Sequence, residues 1–327
     1  SFANISANAI KKYEHGEMMP SSETLEALAT ALQVSPLQLM QTWSADLSIE
    51  PLHHRSRKRK PERDKEAVQA ATERVLGQHM TVLSLLSPSR VPVPDTLDQI
   101  VVSTKEQVEA VATHVRAVLG VCPSGPMPDM VALLENRGYL VVMIPNAPTW
   151  FDAEFGIVNG RPYIALADGR PPDRQRHSIA HELGYICMDI QDMEEETASS
   201  HFAGALLLPR EDVFRELGHR RTGGIAMVEL RMLQREYSVS MRSIIMRAGQ
   251  LGVISQEAEK NLYKSLNMKG LSQDEHADIP REVPTAYRQW VVQLAMEHEI
   301  SLSRGAELLD VDLGEMRNLL YGEDEAS

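Results

Sequence analysis

The sequence predicts an α+β architecture, a small β-sheet packed on helices with mostly helical segments on either side. Three observations carry that expectation. The β-rich runs 139–144, 155–158 and 163–166 lie close together, and the last two flank Asn159-Gly160, a strong short hairpin signal. Apolar residues before and after this region recur at helical spacing. No apolar stretch reaches the ~18 residues that a membrane span requires.

The 327 residues suit two or three domains. Hydrophobic residues are 43% and charged residues 24%, values that exclude a wholly disordered or collagen-like chain. Only Cys122 and Cys187 occur, which rules out a disulfide framework and points to a reducing cytoplasm. A net charge of −13 argues against a broadly basic nucleic-acid binder but leaves room for a local basic surface.

Residues 1–45 read as short helices. Ser6 caps a helix that stops near Gly16, Ser21-Ser22 caps a second with Leu25, Leu28, Ala29 and Leu32 in register, and a third turn covers Pro36–Met40. Residues 46–98 read as a basic linker and a helix. Arg55, Arg57, Lys58, Arg59, Lys60, Arg63 and Lys65 fit a solvated tether better than a phosphate contact, and the helix is expected over Glu66–Leu76. Prolines at 88, 92 and 94 mark a break.

The third region, 99–268, opens on Ser103-Thr104-Lys105-Glu106, read as a capping box before a helix bearing Val108, Val111, Val115 and Val118. A helix over Pro128–Arg137 stops at Gly138, and the three strand runs follow as a small antiparallel sheet. After Pro172 the pattern is helical. Residues 269–327 form a last helical region, shaped like a helix-turn-helix but expected to serve packing or dimerisation, because its end is acidic.

The chemistry is concentrated in Arg174–Met188. His181-Glu182 begins an H-E-x-x-H pattern, in which two imidazoles four residues apart hold one metal and the Glu deprotonates its bound water. Tyr185 stands in place of the second His. A following helix brings Glu196 as a candidate third ligand, with His201 five residues on. Cys187 is expected in the core, Asp152 and Glu154 near a cleft mouth, and His53-His54 in solvent.

These motifs resemble the ImmA/IrrE family of regulatory metallopeptidases. The match runs through Leu133–Gly138, Arg174–Gly184, Glu196–Pro209 and Tyr237–Gly252, covering roughly residues 100–265. The N-terminus resembles the second half of a repressor-type (XRE) helix-turn-helix. The resemblance implies a zincin-like peptidase domain flanked by a helix-turn-helix fragment and a helical C-terminal region. It also implies zinc held by His181 and Glu196, Glu182 as general base, and DNA contacts from Ser6, Ala7, Asn8, Lys11 and Lys12. Family members pair DNA binding with cleavage of a partner repressor, so DNA, a repressor protein and a second copy of the chain are the expected partners, with no membrane. Ser200 stands where the family usually has Asn or Asp.

Tyr185 leaves three readings open. It ligates a metal through oxygen; or His177 substitutes, one turn earlier on the same face; or the site has lost its metal and serves as a scaffold or sensor. Moving the second ligand to His177 widens its angle to Glu182 from about 60° to about 140° on an ideal helix, which does not suit hydrolysis. The leading expectation is a regulator with an impaired zinc site. The alternatives are an active zinc endopeptidase cutting a partner repressor, and a protein-binding module of an immunity or toxin–antitoxin circuit.

Overall fold

The computed structural model describes residues 5–14, 18–32, 36, 39, 47–51, 61–94, 97–268, 270 and 279–322. The chain divides into two compact units, Ser1–Asp46 and Leu47–Ser327. In the first, α1 (Ala7–Glu14) and α2 (Ser22–Leu32) begin where their caps predict. Ser6 Oγ accepts the Ala9 N–H at 3.2 Å, and Ser21 Oγ accepts that of Thr24 at the same distance. The expected Gly16 stop, most of the third turn, the basic run 55–60 and His53-His54 lie outside the described residues.

The second unit is built around a four-stranded sheet of β1 (Ile49–Pro51), β3 (Leu140–Ile144), β4 (Ala153–Val158) and β5 (Arg161–Ala167), in the order β1-β4-β5-β3. Asn159 (φ 47°) and Gly160 (φ 76°) turn the β4–β5 hairpin in the left-handed region, as their identities demand. The sheet is mixed rather than antiparallel, because β3 pairs in parallel with β5. Residues 145–152 carry the chain from β3 past β5, so β4 lands on its far side. A run of local β signals does not encode that detour. β1, from the expected linker, adds antiparallel to β4.

Both faces of the sheet are buried, and the alternation along each strand sorts the side chains. Val141, Phe155, Ile164 and Leu166 face one core. That core is shared with α4 (Lys105–Val118), α5 (Met130–Asn136), α6 (Pro172–Cys187) and α7 (Glu195–Leu207). It continues into α8 (Arg210–Leu217), α9 (Met227–Tyr237), α10 (Met241–Gln250) and α11 (Gln256–Met268). Leu140, Val142, Ile144, Tyr163 and Ala165 face the other core, beneath α3 (Glu62–Leu85) and α12 (Ala286–Met296), α13 (Leu302–Leu309) and α14 (Leu313–Tyr321). A separate parallel pair joins β2 (Ile100–Val102) to β6 (Met188–Ile190), the segment that leaves α6.

Local rules hold with small displacements. The helix expected over 66–76 runs from Glu62 to Leu85, because its apolar stripe, including Val68, Leu76 and Val82, continues onto β3. The capping box belongs to Thr104 and Gln107, one residue on from Ser103 and Glu106. Gln107 reaches back to the Ser103 and Thr104 N–H groups, and Thr104 takes the N–H of Gln107.

A buried charge cluster ties α4, α7 and α10 together. Glu109 receives both guanidinium nitrogens of Arg247, at 2.5 and 2.7 Å, and His201 Nε2 lies 2.7 Å from Glu109 Oε1. Burial alone would raise the Glu109 carboxyl, but hydrogen bonds and charge from Arg247 and His201 outweigh it and hold it at about 2. A depressed acid contributes stability above its unfolded pKa of roughly 4.3 and loses it as pH falls towards the folded value. Glu109→Gln is therefore expected to cost about 2 kcal/mol near pH 7, after discounting for solvent contact. The gap to the unaltered protein should close as pH drops from 5 to about 2, measured by urea unfolding across that range.

Candidate functional site

The site forms where α6 and α7 pack side by side. They are tightly packed at Gly184, whose missing Cβ would lie 3.0 Å from Phe202 Cδ1 and 3.3 Å from Ser199 Cα. Pro171-Pro172 opens α6, with Pro172 in its first turn where no backbone donor is lost. Arg170 and Arg174 hold its start to Asp152, at 3.1 and 2.8 Å. From there the helical period places His177, His181 and Tyr185 in a column, one turn apart. The His177 and His181 rings stack at 6.1 Å and 27°, and His181 meets Tyr185 edge-on at 5.0 Å and 80°.

Glu196, in the first turn of α7, faces two members of that column. Its Oε1 lies 3.3 Å from His181 Nε2, and its Oε2 accepts a hydrogen bond from Tyr185 Oη at 2.9 Å. The His181 contact lacks hydrogen-bond geometry, which leaves Nε2 buried without a hydrogen-bond partner among the described residues. Glu182 lies on the flank of the column, half-buried, with Oε1 3.8 Å from its neighbour's Nδ1. His181, Tyr185, Glu196 and, beside them, Glu182 thus converge, and His177 extends the column.

His201 does not join them. It is buried and turned to Glu109, because residue 201 falls on the opposite side of α7 from Glu196. Neither a surface position nor a place in the cleft describes it. Cys187 lies in the core, where burial pushes its thiol up to about 12. Glu154 is buried as the acceptor of Tyr163 Oη at 2.8 Å, on the sheet face away from α6, and so does not line the cleft. Ser199, unremarked in the sequence beside Ser200, is the buried residue against Tyr185 and Gly184. Its place three residues after Glu196 on a helix was the available signal.

Does this set fit a hydrolytic zinc ion? Two donors do: the unpartnered His181 nitrogen and the Glu196 carboxylate point at the same space. The third position does not. Burial raises the Tyr185 phenol above its ordinary value, and the hydrogen bond to Glu196 and the charges of Glu196 and Glu182 raise it further, against a smaller opposing effect of Ser199. A protonated phenol that spends its hydrogen on the neighbouring ligand is not a zinc donor. Burial, and then the neighbouring imidazole, lower His177 to about 4, so it is neutral near pH 7, but it lies a turn further from Glu182. Among the described residues no three His, Cys, Asp or Glu side chains converge as a metal site.

This arrangement has a counterpart among known families. Residues 139–248 match the IrrE N-terminal-like domain, a peptidase family. Residues 2–39 match the helix-turn-helix family. The IrrE-like match spans β3, β4, β5, α6, α7 and most of α10, and it bears out the resemblance to regulatory peptidases read from the sequence motifs. No curated protein matches the chain. In the helix-turn-helix segment, Ser6 and Lys12 are exposed, whereas the side chains of Ala7, Asn8 and Lys11 lie outside the described residues. No helix among the described residues is long and apolar enough to cross a membrane.

Gly184→Val tests the packing on which the site rests. The added side chain must push Phe202 or the α7 backbone away, at an expected cost of about 1–3 kcal/mol. Thermal unfolding should register the loss, and the altered His181–Glu196 spacing should appear in a crystal structure of the variant.

Proposed function

We propose that this protein is a transcriptional regulator whose peptidase-like domain senses or relays a signal through an impaired zinc site. One observation carries the reading: the Tyr185 hydroxyl donates to Glu196. That bond ties the phenol to the candidate ligand and sets a hydrogen donor, rather than a second imidazole, one turn after His181. Glu182 is useful as a base only beside a metal that brings its bound water down towards a pKa of ~7. The helix-turn-helix match supports DNA as one partner. A repressor protein as second partner, homodimerisation, a cytoplasmic location and a role in stress response, phage defence or prophage control complete the reading, by analogy with the family.

The test is metal content. Purified protein is expected to carry well under one equivalent of zinc and to leave a co-encoded repressor uncut. Tyr185→His should raise zinc occupancy several-fold, because it removes the donor to Glu196 and sets a second imidazole one turn from His181. Stoichiometric zinc in the unaltered protein, together with proteolysis abolished by Glu182→Gln, would establish the active endopeptidase instead.

DNA binding has its own signature. Replacing Lys11 and Lys12 together by Ala in the full-length protein should weaken operator binding and lower the log–log salt slope by about 1–2, as each lost phosphate contact releases fewer counterions. An unchanged slope in a salt titration by fluorescence anisotropy would remove those lysines from the interface.

A further inference from the structure

The C-terminal helices are joined to the site helix by an exchange of two buried glutamates. Glu282, in the segment that leads into α12, enters the space between α5 and α6. One carboxylate oxygen accepts the N–H groups of Met130 and Val131 at 3.0 and 3.3 Å, at the start of α5. The other pairs with the Arg176 guanidinium on α6. The Glu282 carbonyl accepts Gln175 Nε2 at 3.0 Å, so two consecutive residues of the site helix grip one residue of the C-terminal segment. Arg176 also donates to the carbonyls of Met127 and Pro128, at 2.8 and 3.2 Å. Both charged side chains are 4% exposed.

The exchange runs the other way at Glu135, on α5. Its carboxylate accepts the N–H groups of Thr285 and Ala286, at 3.0 and 3.1 Å, and so caps α12. Thus the segment before α12 supplies the charge that caps α5, and α5 supplies the charge that caps α12. Apolar contacts would hold two layers together without burying carboxylates, whose desolvation is costly unless each is fully partnered. What such pairs add is one fixed seating. Here that seating is of α6, since Arg176 precedes His181 by less than a turn and a half.

We infer that Glu282 and Glu135 are positioning residues for the candidate site, through which the α12–α14 helices set the orientation of the His177–His181–Tyr185 column. The inference rests on the reading of that column and Glu196 as the functional site. Neither glutamate touches the column itself. The hydrogen bonds of the Glu135 carboxylate go to Thr285 and Ala286 rather than to α6, so its loss acts first on the seating of the segment that carries Glu282.

The experiment uses the full-length protein labelled with ¹⁵N-histidine, with the His177 and His181 ring signals assigned by single substitution. In Glu282→Gln and in Glu135→Gln both signals should shift, and amide hydrogen exchange over 174–182 should quicken at least ten-fold relative to α10. If Glu282→Gln does not fold, Glu135→Gln and the milder Glu282→Asp carry the comparison. Unchanged histidine signals and protection over 174–182, with α12–α14 loosened, would overturn the inference and leave the glutamates as packing elements. Equal acceleration in every helix would overturn it too, because the effect would be general loss of stability. Neither readout requires metal. Failure of Tyr185→His to take up zinc would therefore count against the site reading alone.

Discussion

The distance between α6 and α7 governs everything the site can do. Gly184 removes the one side chain that would hold these helices apart, and Phe202 and Ser199 fill the space it leaves. With the backbones that close, a residue in the first turn of α7 reaches the middle of α6, and His181 meets Glu196 at 3.3 Å. The sheet then fixes where this pair stands, since α6 packs on β4 and β5 through Ile179, Ala180 and Leu183. At Tyr185 a phenol and the Glu196 carboxylate satisfy each other beside the His181 imidazole.

Several buried charged groups among the described residues are partnered across the fold. Glu109 with Arg247 and His201, Glu282 with Arg176, and Arg116 with the carbonyls of Leu206, Cys122 and Gly125 each join segments distant in sequence. Such sets are costly to desolvate and costlier to break, because the remaining partner is left buried and unpaired. They act as alignment pins among helices whose apolar faces would tolerate sliding. His181 Nε2, like Arg176 Nε and Arg210 Nε, is buried without a hydrogen bond among the described residues, and it lies against the candidate ligand Glu196.

Much of this was legible in the amino-acid order. Local rules found the caps at Ser6 and Ser21, the Asn159-Gly160 hairpin and the helix carrying His181, because each is decided within a few residues. Glu196 was a candidate because it lies on the following helix and because the family resemblance implies it as a ligand; helix spacing alone does not set it against His181. Pairing order was not legible: the parallel β3–β5 contact and the edge strand β1 depend on how residues 145–152 and the segment before α3 travel. β2 and β6, three residues each, are too short to show periodicity. His201 misled because one His near a motif invites a role there, whereas its partner, Glu109, lies 92 positions earlier in the chain. Glu282 was similarly silent, an ordinary acid in a polar stretch until the fold sets it against Arg176.

The first strand of the larger unit has a mechanical consequence. β1 begins at Ile49, two residues into the larger unit, which starts at Leu47. The bonds nearest that junction are the Ser48 N–H to Asn159 Oδ1, at 2.8 Å, and the Asn159 N–H to Ser48 O, at 2.9 Å. Tension applied to the chain ahead of Leu47 reaches those two bonds before the β1–β4 ladder. Because β1 is only three residues long and ends in a proline, which cannot donate to the ladder, little beyond them resists peeling. The hairpin tip at Asn159 is thus the fuse of the sheet edge.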